Sequence, residues 1–225
     1  MNPRTISALC AITLLTSMSV AMVHASPGFT EDFTASGEGW LTRSFAPVTH
    51  NASGGPDNGS YVSFVSSFDP FGTAAVAFRG HDDFDASNDA FVGDWVTNHW
   101  VTLSAYVRHN GQAPAEFFAR IATTNNFPGA AIENGVLVQP NTWTLVSFDV
   151  NPNNPLLTLE GPIAFGDVFE HVGNVQFGLT SPAGYEDDTS PITFALDKVT
   201  VAIPEPASCG LLLLGLGGTL LRRRK

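Results

Sequence analysis

From Tyr61 to Val201 the chain is a series of short runs in which apolar and polar residues alternate, separated by clusters of Gly, Pro, Asn and Asp. In HWVTLSAYVRH, Val101, Leu103, Ala105 and Val107 share one face, whereas Thr102, Ser104, Tyr106 and Arg108 share the other. A period of two predicts a half-buried strand. Similar runs occupy YVSFV (61–65), TAAVAFR (73–79), AEFFARIA (115–122), TWTLVSFDV (142–150), NVQFGLT (174–180) and ITFALDKVTV (192–201). They are enough for two packed sheets, and no segment sustains a helical period. The pattern predicts an all-β domain, a single antiparallel β-sandwich over residues 26–203, with Trp143 inside it and a hairpin turn at Asp57-Asn58-Gly59-Ser60. Asn58-Gly-Ser and Asn51-Ala-Ser read only nominally as glycosylation sequons.

The last run breaks its own rule. Phe194 and Leu196 fall on one parity, Val199 and Val201 on the other. A β-bulge near Asp197-Lys198 would return all four to the core and re-aim the Asp197 carboxylate.

Both ends depart from this alternation. Residues 1–25 carry Arg4, an apolar stretch from Ile6 to Val23 and small residues at Val23 and Ala25, the layout of a secretory signal peptide cut before Ser26. Such a segment is handled by the Sec translocon. Residues 204–225 comprise Pro204-Glu205-Pro206, an apolar run at 207–221 and the basic stop Arg222, Arg223, Arg224 and Lys225. Fifteen helical residues reach about 22 Å, just enough for an upright transmembrane helix, and the basic end holds it on the cytoplasmic side. The two prolines keep Glu205 extended outside the bilayer, where a membrane enzyme can read it. GLGGTL lacks the strand, helix and downstream acid of a dinucleotide loop.

This ending resembles the tripartite PEP-CTERM sorting signal of Gram-negative bacteria. The resemblance implies recognition and cutting by an exosortase, a membrane cysteine protease-like transpeptidase, with the product at the cell surface or in the extracellular matrix alongside exopolysaccharide and biofilm. A plain single-pass anchor is the other reading.

Composition narrows the chemistry. The formal net charge is −11, and between Ser26 and Pro206 five basic residues (Arg43, Arg79, Arg108, Arg120 and Lys198) face all 21 acids. Such a field repels nucleic-acid phosphates and suits divalent cations, neutral sugars or plain solubility. Both cysteines, Cys10 and Cys209, lie in the ends, so the domain has neither disulfide nor thiol nucleophile. No Gly-x-Ser-x-Gly elbow and no HExxH occurs, and the acids are too many to nominate a glycosidase pair. Nothing in the sequence marks an enzyme.

The strand spacing, the opening FTEDFTASGEGW, the middle FRGHDDFDASNDAFVGDW and the closing FALDKVTV are similar to jelly-roll carbohydrate-binding modules and the laminin B-type domain. The resemblance implies a structural Ca2+ held by Glu31 or Asp32 together with Asp197; an Asp197 paired with Lys198 or solvent is the alternative. Asp83, Asp85, Asp89 and Asp94 follow part of the spacing of a twelve-residue calcium loop, but Asn88 stands at the Gly position and Asp94 at the Glu position. That stretch reads either as a second Ca2+ site or as a solvated acidic loop. For ligand contact the aromatics lead, with Tyr185 beside Glu186-Asp187-Asp188, Trp95 and Trp100 as candidate sugar platforms. Three function classes follow: a polysaccharide-binding or adhesive module, a hydrolase acting on exopolysaccharide, and a self-associating matrix scaffold.

Overall fold

The computed structural model describes residues 28–69 and 75–203. The signal peptide, the sorting tail and the first residues of the 73–79 run lie outside the described residues. Two antiparallel sheets face each other. The six-stranded sheet contains β1 (Phe29–Glu31), β3 (Thr49–Asn51), β4 (Tyr61–Ser66), β6 (Thr102–His109), β10 (Thr144–Asp149) and β13 (Ile192–Ala202), in the order β10-β6-β13-β4-β3 with β1 also on β13. The seven-stranded sheet contains β2 (Leu41–Thr42), β5 (Ala75–His81), β7 (Ala115–Thr123), β8 (Gly129–Ile132), β9 (Leu137–Val138), β11 (Leu157–Leu159) and β12 (Val172–Thr180), in the order β11-β8-β7-β12-β5-β2 with β9 on β7.

Alternation decides what lies between the sheets. Leu103, Ala105 and Val107 of β6, Val146 and Phe148 of β10, Phe117, Ala119 and Ile121 of β7, and Val175, Phe177 and Leu179 of β12 are all buried inward. Rings lock the layers together: Phe64 meets Phe78 edge-on at 5.0 Å, and Phe148 meets Phe177 at 6.1 Å. Truncating such a ring to alanine costs about 3–5 kcal/mol.

The bulge in β13 is present. Asp197 stands opposite Tyr106 and Thr200 opposite Ser104, so β13 spends one residue more than β6 over the same span. Lys198 absorbs the kink with φ 48°. Phe194, Leu196, Val199 and Val201 are all fully buried as a result.

Three features differ from the alternation pattern. Trp143 is not core: it precedes β10, is half-buried on the outer face of the six-stranded sheet, and donates its indole N–H to the Gly54 carbonyl at 2.9 Å. A short helix α1 (Phe165–Phe169) forms where no helical period was visible, its start fixed by Asp167 Oδ2 accepting from the Ala164 N–H at 2.8 Å. β12 is covered on both faces, with Asn174 and Gln176 wholly buried on its outer side. A polar residue at an outward strand position need not face water when a loop folds over it. The Asp57–Ser60 turn does join β3 to β4, with Gly55 N–H donating to the Gly59 carbonyl at 2.9 Å and Asn58 at φ 60°.

Candidate functional site

Polar chemistry concentrates on the outer face of the seven-stranded sheet. Cross-strand register places Arg79 of β5, Gln176 of β12 and Arg120 of β7 side by side, with His81, Asn174 and Ala122 in the next row. Arg120 is the hub. Its Nε and Nη2 donate to the two Glu160 carboxylate oxygens at 2.6 and 2.7 Å, and Nη1 donates to Gln176 Oε1 at 3.1 Å and Asn126 Oδ1 at 2.8 Å. Nη2 also donates to the Asn126 carbonyl at 2.8 Å, so the β7–β8 turn is strapped across the sheet with Phe127 projecting from it. A bidentate guanidinium–carboxylate pair fixes direction as well as distance.

Beyond the strap the face is under-satisfied. Arg79 Nε, Asn174 Oδ1 and Thr123 Oγ1 are buried without a hydrogen-bond partner. Apolar rings frame these groups. The Arg79 guanidinium lies 4.7 Å from the centre of Phe45, a half-exposed ring on the β2–β3 connection. Phe118 lies across Gly178 of β12, where a Cβ would meet the ring at 2.1 Å, so glycine is required there for the ring to lie over the strand. At the sandwich edge, where the β2–β3 connection meets β4 of the other sheet, a pocket of about 590 Å³ is lined by Thr42, Arg43, Ser44, Pro47, Phe64 and Ser66.

The outer face of the six-stranded sheet has the opposite charge at its centre. Asp197 is buried there, and its Oδ1 accepts from the Lys198 N–H at 2.7 Å. Oδ2 points at the 55–60 turn: a Cβ on Gly55 would meet the Ser60 carbonyl oxygen at 2.8 Å, Asp197 Oδ2 at 2.9 Å and the Gly59 carbonyl oxygen at 3.0 Å. Burial drives the Asp197 carboxyl up to about 6; the Lys198 N–H and ammonium pull it down, whereas the charges of Asp32 and Asp57 push it further up. The Lys198 ammonium pairs with Asp57. Nearby, Arg108 lies 4.6 Å above the Trp143 ring, which meets Tyr61 edge-on at 5.3 Å.

Of the two acids in the opening strand region, only Asp32 contributes charge at Asp197. Glu31 shares the face of its partner Val199 and so points into the sandwich, accepting from the Phe33 N–H at 2.8 Å and from Ser87, whose hydroxyl in turn accepts the Trp40 indole N–H at 2.9 Å. Burial raises the Glu31 carboxyl above the ordinary range, ahead of the hydrogen bonds that lower it.

The acidic loop does not gather Asp83, Asp85, Asp89 and Asp94 at one centre. Asp94 caps a turn, accepting from the Thr97 N–H and hydroxyl at 2.8 and 2.6 Å, which holds its carboxyl below the usual range. Asp85 and Asp89 sit on left-handed residues of the 82–90 turns, and Asp89 is raised by slight burial and by the charges of Asp85 and Asp82. Asp83 instead joins His81 and Asp82, whose ligand atoms lie within 4.8 Å of one another. Sequence reading missed His81 and Asp82 because β5 ends where the acidic loop begins.

The aromatic candidates separate. Trp95 is 1% exposed and donates its N–H to the Phe91 carbonyl at 2.8 Å, and Trp100 is 6% exposed, 5.6 Å away. Both line a mostly apolar pocket of about 240 Å³ with Phe165, Phe169, Val150 and Pro152. Tyr185 is half-buried, its ring 6.2 Å from Phe68, at the edge of an open hollow with Gln112 and Glu186 to Asp188. The polar row Arg79–Gln176–Arg120 was the larger omission. Its only sequence signal was charge and amide at alternate positions of strands that also read as solvent-facing.

Comparisons with known proteins support the fold and the tail. A jelly-roll β-sandwich similar to this one occurs in the CBM22-1–GH10 modules of the Clostridium thermocellum endo-1,4-β-D-xylanase 10B complexed with xylohexaose, at 14% identity and a TM-score of 0.51, covering 78% of this chain and 28% of that chain. An exo-β-agarase matches at 9% identity and a TM-score of 0.52, over 80% of this chain and 25% of that one. The L4b domain of human laminin α-2 matches at 9% identity and a TM-score of 0.40, over 80% and 99%. The chain thus corresponds to little more than a quarter of the length of either enzyme. No curated protein matches in sequence. Residues 202–225 match the PEP-CTERM protein-sorting motif, which the chain therefore carries directly after β13.

Proposed function

We propose that this protein is an exported, non-catalytic polysaccharide-binding module, used at the cell surface or in the extracellular matrix of an exopolysaccharide-forming bacterium. The observation that carries the reading is the outer face of the seven-stranded sheet, where the half-buried Arg79 guanidinium lies beside the half-exposed Phe45 ring and Phe118 lies across Gly178. Sugars offer the complement, with hydroxyls that both donate and accept and C–H faces that stack on rings. The sorting motif supports export, transient anchoring by the C-terminal helix and cutting by an exosortase after Sec-dependent translocation.

Calcium has a structural role in this reading. Asp197 with the Gly59 and Ser60 carbonyls, and Asp32 close by, supplies the hard oxygen donors that Ca2+ prefers. Bound there, the ion would tie β13 to the 55–60 turn. Glu31 takes no part, since its carboxylate is engaged inside the sandwich.

The test is retention of the secreted protein in affinity gels cast with the host's own exopolysaccharide. Retardation without release of reducing sugar supports the module. Sugar release would establish the hydrolase, and concentration-dependent assembly without retardation would establish the scaffold. Mass measurement of the secreted form checks both cleavages.

A further inference from the structure

Arg79 is anomalous in its setting. The domain is strongly acidic, yet three of its five basic residues, Arg43, Arg79 and Arg120, converge on one flank of the seven-stranded sheet. Arg120 is neutralised by Glu160, and Lys198 on the other sheet by Asp57. Arg79 forms no ion pair among the described residues. Its Nε is buried and unpartnered, its neighbour across β12 is Gln176, and the group above it is the Phe45 ring at 4.7 Å. Burial, then the charges of Arg120 and Arg43, press its pKa downward, and against these the Phe45 ring favours the cation. A half-buried guanidinium beside like charge is retained at a cost unless an anion completes it.

We propose that the glycan bound on this face is anionic, and that Arg79 receives its carboxylate or sulfate group beside the Phe45 ring. The inference rests on the polysaccharide-binding reading and names the ligand's class. A guanidinium's planar fork matches a planar carboxylate or two oxygens of a sulfate, and charge-assisted pairs are about twice as strong as neutral hydrogen bonds. At the adjoining sandwich edge, the pocket of about 590 Å³ lined by Arg43 falls within the roughly 300–1,000 Å³ of ligand clefts. The surrounding acidity repels polyanions at long range. Selection therefore falls to this flank, where the cations cluster.

The experiment measures binding of the secreted protein to three probes by calorimetry: oligogalacturonate, its carboxyl-reduced neutral counterpart, and a sulfated galactan oligosaccharide. The expected result is at least tenfold tighter binding of one anionic probe than of the reduced one, weakened by added salt. Preference for oligogalacturonate would assign a carboxylate, and preference for the galactan a sulfate. Arg79→Gln should abolish the difference while leaving residual binding of the neutral probe and an unchanged melting temperature. Arg79→Lys, which keeps charge and loses the fork, should fall between. Equal affinity for the reduced and charged probes, or an Arg79→Gln protein that still prefers the anion, would overturn the proposal and leave the glycan reading standing. Failure of every probe and of the host polysaccharide to bind would overturn both.

Discussion

The two outer faces of the sandwich pose inverse electrostatic problems. On the six-stranded sheet a carboxylate, Asp197, is buried with one backbone N–H and a lysine that is already paired with Asp57. On the seven-stranded sheet a guanidinium, Arg79, is half-buried with no carboxylate at all, next to an arginine that has one. The sandwich core between them is apolar, so neither face can neutralise the other. In the proposed reading, each face is completed from outside, by a cation on one side and by an oxygen-rich, anionic ligand on the other.

The comparison can be broken most severely at Arg120. Replacement by alanine would leave Glu160 uncompensated and free Gln176 and Asn126, and a loss of about 3 kcal/mol is expected in urea-unfolding experiments. An unchanged midpoint would show that the strap over β12 does not hold the face in shape.

The next effect is pH dependence on the opposite face. The folded-state pKa of Asp197 is raised, to about 6, so its contribution to stability is full below the ordinary aspartate range and is lost as pH rises through about 6. Without divalent cation the loss approaches 3 kcal/mol, at about 1.4 kcal/mol per pK unit. Thermal melts at pH 5 and pH 7.5 with chelator should show the part of it that is lost above pH 5, a little under half, added Ca2+ should restore the melting temperature at pH 7.5, and Asp197→Asn should remove both dependences. A melting temperature indifferent to chelator excludes the stabilising ion.

A smaller change sharpens the same point. Lys198→Met removes the positive charge that lowers the Asp197 carboxyl, so the pH-dependent loss should run on to a higher pH, with little change in stability at pH 5. The smallest effect is expected from Trp143→Ala on glycan binding. That ring serves Arg108 and Tyr61 on the other sheet, and affinity should stay within about twofold of the parent.

Much of the scaffold was legible from alternation alone. β4, β6, β7 and β13 fall where the period-two runs fall, because each has one face in the core, and the parity break located a bulge that begins at Asp197, the residue whose carboxyl burial drives up to about 6. What alternation could not reveal is which outward positions are covered. Gln176 and Asn174 read as solvent-facing, but the Asn126 turn folds over them, a contact between residues 50 positions apart in sequence. Trp143 misled for the converse reason: an aromatic at the start of an apolar run reads as core, yet its N–H was drawn out to the Gly54 carbonyl. Glu31 and Asp32 are adjacent acids whose fates diverge only because β1 pairs with β13 in a register that turns Glu31 inward.

The central claim is that the seven-stranded face carries the ligand. Affinity electrophoresis of the secreted protein in gels containing the host exopolysaccharide compares Phe45→Ala with Arg79→Gln on one face and Tyr61→Ala with Trp143→Ala on the other. The account predicts that retardation falls at least tenfold in the first pair and persists in the second. Retention in the first pair and loss in the second would contradict it.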